Sequence, residues 1–495
     1  MNTIAANPDV ELSPELTREF LVHHRVCPLR IDGSGTLIVG LDAAGSLEAV
    51  TEIGLAYSRP VRAEPTTWAE LDRQIERLSA SAPRMIGLGE RVGADRSEED
   101  LGTDLRELAN QPPVIRYVNA LIRDAVDAQA SDIHVETERG GGLAVRLRRD
   151  GILIPSTAAA TALPHAVISR IKLLAELDTA ERRKPQDGRI RVRLESRDLD
   201  LRVSTVPTLH GESVVIRLLD QGGRPADLAA LGMDQATFAA MSALAARPNG
   251  LLLVTGPTGS GKTTTLYSAL VRRNAVREKI LTVEDPIEYQ LPGVTQVPVH
   301  QRAGVSFGTI LRSILRQDPD VIMVGEMRDA LTAEVAIQAA MTGHLVFSTL
   351  HTNDAVGAIP RLIDLGVPDY LVAATLEGVL AQRLVRRVCP DCRVSYEVSA
   401  EQVALLSGRP STARTLVQGR GCDACRGTGY RGRIGLFELL TFNDEIKDAV
   451  ARGARRAELH DLARSSGMVT LREDGWRKIE EGATTVEEVV RVTTD

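Results

Sequence analysis

Aromatic residues are scarce in this chain: six Phe, seven Tyr and two Trp make up 3% of 495 residues. Proteins that hold single-stranded nucleic acid stack bases on aromatic faces, so there is little here to build such a platform. An excess of positive charge is also missing. The 59 Lys and Arg are outnumbered by 66 Asp and Glu, so a formal charge of −7 gives no global field to attract a polyanion. No nucleic-acid partner is expected. No apolar run approaches the roughly 18 residues that a membrane helix needs. Met1 to Glu15 lacks the basic-then-apolar order of a signal peptide, so the chain is expected in the cytoplasm, reaching a membrane only through partners. Cysteine is rare, five in all, yet four fall in two C-x-x-C pairs. In a reducing compartment that spacing suggests metal rather than disulfides.

What is present is a globular composition, 43% hydrophobic and 25% charged, with length enough for roughly three domains. Up to about Leu78 the pattern mixes strand and helix. Thr36 to Leu41 suits a strand, and Thr67 and Glu70 form a capping box ahead of Leu71, Ile75 and Leu78, which share a helix face. Residues 79–111 are rich in Ser, Gly, Asp and Glu and read as a linker. A second unit, 112–220, opens with helical spacing from Val114 to Ala125. Alternating runs follow at Leu143–Leu147, Ile190–Leu194 and Leu199–Val203, with a turn at Asp150-Gly151. A small, largely antiparallel sheet with helices on one face is expected. From about Gly250 short apolar strands alternate with helices, predicting a parallel α/β sheet with strands near 251–254, 280–283, 321–324 and 345–348. The unit is bounded as 221–387, a cysteine-bearing segment as 388–430, and a helical C-terminal part as 431–495.

The segment Gly256-Pro257-Thr258-Gly259-Ser260-Gly261-Lys262-Thr263 fits G-x-x-x-x-G-K-[ST]. Its glycines let backbone N–H groups turn inward around phosphates, Lys262 reaches the β and γ oxygens, and Thr263 offers a hydroxyl to Mg²⁺. An apolar strand precedes the loop and a helix beginning at Thr264 follows, adding its N-terminal dipole to the anion site. ATP and Mg²⁺ are therefore the expected ligands. Hydrolysis further needs a group to handle water or metal. Asp320 to Glu326 is an apolar strand ending in a carboxylate, and Thr282-Val283-Glu284-Asp285 ends another, so Glu326 and Glu284 are the acidic candidates. His344 and His351 flank the strand at 345–348; a γ-phosphate sensor and a satisfied structural role are both open to them. Twelve arginines lie between Leu143 and Arg217, and position alone does not select which of them meet a transition state.

Cys389-Pro-Asp-Cys392 and Cys422-Asp-Ala-Cys425 together supply four thiolates, the donor set of a closed structural Zn²⁺ site. Iron and metal-free thiols are the alternatives. Cys27 reads as a small core residue.

Several segments in order resemble the type II secretion and type IV pilus assembly ATPases. They are Ala130-Ser-Asp-Ile-His134, Ala180-Glu-Arg-Arg-Lys-Pro-Gln-Asp-Gly188, Leu201-Arg-Val-Ser-Thr205, the phosphate loop, Val283-Glu-Asp-Pro-Ile-Glu-Tyr289, Arg316-Gln-Asp-Pro-Asp320, Gly325-Glu-Met-Arg-Asp329 and Gly343 to Asp354. The resemblance runs from about Pro112 to the C-terminus. It implies a homohexameric motor with a RecA-like P-loop ATPase domain, a smaller PAS-like α/β domain, an N-terminal α/β partner-binding domain and a tetracysteine zinc element. It assigns Glu284 and Glu326 as acidic catalytic positions, His344 and His351 as a histidine pair, and Arg202 and Arg217 as arginines that neutralise γ-phosphate charge. Arg312, Arg316 and Arg328 also fall at family positions. The family usually has isoleucine where this chain has Met327, a volume-conserving change. The short N-terminal region looks more like the type II secretion enzyme, whose implied partners are the cytoplasmic domain of an inner-membrane platform protein and a polytopic inner-membrane protein. A type IV pilus assembly motor is the alternative. A nucleic-acid translocase on the same core and a nucleotide-dependent protein without turnover are the remaining ones.

Overall fold

The computed structural model describes residues 18–493 except 33–34, 58, 82–107, 140–141, 157–163, 195–196, 221–226, 274, 300–305, 400–401 and 403–414. The linker reading falls largely on 82–107, outside the described residues. Among the described residues no helix is long and apolar enough to cross a membrane.

The N-terminal unit is a three-stranded sheet. Val26–Ile31 runs antiparallel to Leu37–Leu41, which pairs in parallel with Val61–Pro65 across the helix Leu47–Ala56. The helix Trp68–Ser81 extends past the predicted end at Leu78, and Thr67 hydrogen-bonds the Glu70 carboxylate at 2.8 Å at its start. Leu71, Ile75 and Leu78 are buried beside Cys27, whose thiol is pushed up to about 12 by burial. Such a thiol is inert packing.

The second unit is a fully antiparallel six-stranded sheet, in the order Ile152–Pro155, Leu143–Arg149, Asp132–Thr137, Gly211–Asp220, Arg197–Thr208 and Gln186–Leu194. Asp150 and Gly151 both take positive φ, 49° and 86°, and close the predicted hairpin. The helices Pro112–Asp127 and Pro164–Leu174 bury Val118, Leu121, Val167 and Ile171 against Ile133, Leu201 and Ile216. The opposite face keeps its polar side chains.

The third unit is a seven-stranded sheet ordered Thr295–Pro298, Ile280–Glu284, Val321–Val324, Leu345–Leu350, Gly250–Thr255, Leu376–Val388 and Tyr430–Thr441. The first six are mutually parallel and the last is antiparallel. Central strands buried on both faces read as continuous apolar runs, and all four predicted strands are present. The last two sheet members correct the expected layout. Residues 431–441 are a core strand rather than the start of a helical tail, paired with Leu376–Val388 from Gly378↔Thr441 to Val388↔Tyr430. The cysteine-bearing segment is thus an insertion between two paired strands, with its own ladder of Arg393–Glu397 and Thr415–Gly419. Tyr430-Arg-Gly-Arg-Ile434 hides the strand because its first half is exposed and rich in Gly and Arg. Helices Asp444–Ala451, Arg456–Ser465, Leu471–Glu480 and Val486–Thr493 complete the chain.

Candidate functional site

Because six strands are parallel, their C-terminal ends share one edge of the sheet, where an open α/β sheet leaves its binding crevice. Strand Gly250–Thr255 enters the loop at Gly256, whose φ is 149°; a Cβ there would lie 2.4 Å from the Gln382 carbonyl. Gly261, at φ 86°, ends the loop, and helix Lys262–Val271 begins at once. Lys262 folds back over the loop, its Nζ donating to the carbonyls of Gly256 at 2.8 Å and Pro257 at 3.0 Å. Burial lowers its pKa to about 8, against the opposing charge of Glu326. Ser260 is buried and its Oγ has no hydrogen-bond partner among the described atoms. An inward-wrapped loop, a desolvated ammonium and an orphaned hydroxyl fit a polyphosphate.

The neighbouring strand Leu345–Leu350 carries His351 at the same edge, and the next, Val321–Val324, leads to Glu326. His351 Nε2 stands 3.5 Å from the Glu326 carboxylate, and Arg328 pairs with Glu326 at 2.7 Å. Burial and Lys262 lower the His351 pKa, so the neutral imidazole is favoured. His344 is not brought here. It precedes the N-terminal end of a six-residue strand, roughly 20 Å from the phosphate edge. Its Nδ1 lies 2.8 Å from the Ala339 carbonyl and 3.1 Å from Thr342 Oγ1, a local anchor at a helix end.

The two acids of the Val283–Tyr289 segment separate. Glu284 is buried behind the crevice and accepts from Tyr267 Oη, from Thr282 at 2.5 Å and from Gln296 at 3.0 Å. Glu288, which sequence reasoning passed over, lies beside the Thr263 side chain. Burial and the charge of Glu284 raise its pKa above the usual carboxylate range, while Thr263, Arg202 and Arg217 act the other way. The structure thus puts Glu288, not Glu284, beside the hydroxyl expected to meet a metal. An acid four residues beyond the strand end was the only signal for it. Gln382 and Arg383 were also missed: Thr265 donates to Gln382 Oε1 at 2.6 Å, and Arg383 Nη2 to the Asn353 carbonyl at 2.8 Å. No local motif marks them.

Arg202 and Arg217 stand directly opposite each other on neighbouring strands of the six-stranded sheet. Arg217 Nε donates to Asp132 at 2.8 Å. Burial lowers the Arg202 pKa, as do Arg189 and Arg217, whereas Asp200 and Asp285 oppose it. Arg202 therefore lies within electrostatic reach of the loop that carries Asp285 and Glu288. Arg316 donates to the Arg312 carbonyl at 3.1 Å on a separate helix end. Met327 is buried, its N–H bonded to the Thr349 carbonyl.

The four cysteines converge, with all their sulfurs within 4.8 Å of one another. Cys389–Cys422 and Cys392–Cys425 are 3.9 Å apart and Cys422–Cys425 3.7 Å. A tetrahedron with Zn–S bonds of about 2.3 Å has edges of about 3.8 Å, so the set fits one ion. Backbone N–H groups of Cys422 and Gly429 point at Cys425 Sγ, at 3.1 and 3.2 Å, as a thiolate acceptor requires. The element and the strand that follows it touch the second unit: Arg149 donates to the Cys425 carbonyl, Gly432 N–H to Asp150, and Arg426 to Asp124.

The sequence model of the family described as "Type II/IV secretion system protein" matches residues 107–491. A type II secretion system protein HxcR of Pseudomonas aeruginosa is 47% identical over 453 residues, covering 90% of this chain and 92% of that one. The type II secretion system ATPase E of Vibrio cholerae is 43% identical, covering 90% of each. The type IV pilus assembly ATPase PilB of Myxococcus xanthus is 41% identical, covering 97% and 87%. Among solved structures, the pilus retraction motor PilT with bound ADP is 27% identical with a TM-score of 0.53, over 76% of this chain and 96% of that one. The ATPase DotB of Legionella pneumophila, 22% identical with a TM-score of 0.58 over 76% and 94%, shares the fold.

Proposed function

This chain belongs to the type II/IV secretion system protein family, and on that premise we propose that it is a Mg²⁺-dependent ATPase motor that powers type II protein secretion. The observation that carries the reading is the shared edge where the phosphate loop, Glu326, His351 and Glu288 meet. Lys262 leaves the loop carbonyls for the β and γ oxygens when ATP binds. The ligand this chain offers Mg²⁺ is the Thr263 hydroxyl, and the metal would screen phosphate charge there. Glu288, with its raised pKa, is suited to take a proton from the attacking water. Glu326, held by Arg328 and His351, orients that water. Arg202 and Arg217 approach the γ-phosphate when the small sheet closes on the crevice, an interaction strongest in the transition state. Cys389, Cys392, Cys422 and Cys425 hold one structural Zn²⁺ that braces the inserted element.

The chain acts as a homohexamer at the cytoplasmic face of the inner membrane. The N-terminal unit, 1–78, docks on a platform protein and is tethered by 79–111. The small sheet unit spans 112–220 and the ATPase unit 221–387 together with strand Tyr430–Thr441. A pilus assembly role is the second reading, because the Myxococcus pilus assembly ATPase is 41% identical to this chain over 495 residues. Phosphate release by the purified chain tests the core claim. Turnover must require Mg²⁺, vanish in Glu326→Gln with ATP binding retained, and fall with ATP binding in Lys262→Ala. A wild-type protein that binds ATP without turnover would overturn it.

A further inference from the structure

Strand Gln186–Leu194 points Arg189 and Arg191 to the face opposite the core, since Gly188 and Ile190 lie on the other side of the pleat. Their cross-strand partners differ. Arg191 stands opposite Asp200 in register, the ordinary juxtaposition of opposite charges. Arg189 stands opposite Arg202, which itself stands opposite Arg217. Three guanidinium-bearing residues thus form one row across three neighbouring strands. Like charges directly opposite are destabilising. Asp132, next in the row, pairs with Arg217 and lies 3.8 Å from Arg148, so it answers only that end. Among the described residues Arg202 Nε is buried without a hydrogen-bond partner, and Asp200 and Asp285 act on its guanidinium only as nearby charges. Arg189 itself is exposed.

We propose that Arg189 is a third phosphate-directed arginine, completing with Arg202 and Arg217 an anion-binding row that meets the terminal phosphate of ATP. The repulsion stored in the row is relieved when the anion arrives, which makes closure of the small sheet favour the charged ligand. Arg189 takes the outer oxygen of the phosphate, Arg202 the central one, and Arg217 stays anchored on Asp132. The inference rests on the reading of Arg202 and Arg217 proposed above.

The test is the full-length chain carrying Arg189→Ala, Arg189→Lys, Arg202→Ala or Arg191→Ala, each assayed for turnover, ATP affinity and binding of ADP with aluminium fluoride. Arg189→Ala should lose roughly tenfold or more in kcat and in affinity for the fluoride complex, while its ATP affinity shifts less than about threefold. Arg189→Lys should recover part of the loss as a point charge, and Arg191→Ala should match wild type. Arg189→Ala should unfold no earlier than wild type, because removing a like-charge neighbour relieves strain. An Arg189→Ala enzyme as active as Arg191→Ala, beside an impaired Arg202→Ala, would overturn the third arginine alone. Normal activity in Arg202→Ala as well would remove the underlying reading too. Early unfolding of Arg189→Ala with no rescue by lysine would make the residue structural and end the proposal.

Discussion

Glu284 and Glu288 lie four residues apart in one segment and serve different surroundings: Glu284 accepts from Tyr267, Thr282 and Gln296 inside the sheet, whereas Glu288 lies beside Thr263 in the crevice. Glu288→Gln should therefore lower kcat by roughly a hundredfold while sparing ATP binding. Glu284→Gln presents an amide donor to three donors and should cost about 1–3 kcal/mol of stability. Turnover and urea unfolding of both variants separate the roles. Normal turnover in Glu288→Gln, or lost turnover without lost stability in Glu284→Gln, would reverse the assignment.

The tetracysteine set predicts a metal content. Protein purified without chelators should carry about one Zn²⁺ per chain. Cys425→Ser should lose it and loosen the contacts of Arg149 with Cys425 and of Arg426 with Asp124, because structural metal binding is also folding free energy. Elemental analysis and limited proteolysis read both effects. Iron in place of zinc, or a metal-free wild type, would refute the zinc assignment.

Acid should weaken the C-terminal packing. Burial alone would raise the Glu488 pKa, but Arg491 and Arg386 outweigh it and hold the carboxyl at about 2. It accepts from the Arg386 N–H and guanidinium, both at 2.8 Å, and from Arg491 at 3.0 and 2.8 Å. A depressed carboxylate contributes its stability above its unfolded pKa, near 4.5, and loses it as pH falls through about 2. The contribution at neutral pH is on the order of 3 kcal/mol. Glu488→Gln should lose most of it at pH 7 and flatten the acid limb of the stability curve. Urea titrations at pH 7, 4 and 3 that superimpose wild type and variant, treated as roughly equal within 0.5 kcal/mol, would exclude the charge pair as a stabiliser.

The N-terminal unit has its own buried cluster around Leu21, Val39, Ile53 and Leu71, so residues 1–81 should fold alone. Deleting residues before Pro112 should leave basal ATP hydrolysis intact and abolish recovery with the membrane fraction. Pull-downs with the cytoplasmic domain of a secretion platform protein and with a pilus-biogenesis partner decide between the two systems. Capture by the pilus partner alone would make this a pilus assembly motor.

The sequence by itself determined everything that depends on a few adjacent residues. Gly256 to Thr263 specifies a phosphate loop because its glycines permit positive φ and its lysine follows at a helix start. The Thr67–Glu70 cap, the Asp150-Gly151 turn and the buried apolar strands are equally local, each being a preference of neighbouring residues. The cysteine spacing told of a four-sulfur cluster for the same reason. Only the tertiary structure decided which acid faces Thr263, because Glu284 is withdrawn by partners 17 and 12 residues away in the chain. That His344 and His351 lie at opposite ends of one strand was legible too, but only its parallel pairing with Gly250–Thr255 decided that His351 meets the phosphate loop. The strand Tyr430–Thr441 and the arginine row exist through register between distant segments. Such pairings carry no local signature: their energy comes from hydrogen-bond ladders and side-chain contacts that form only once those segments meet.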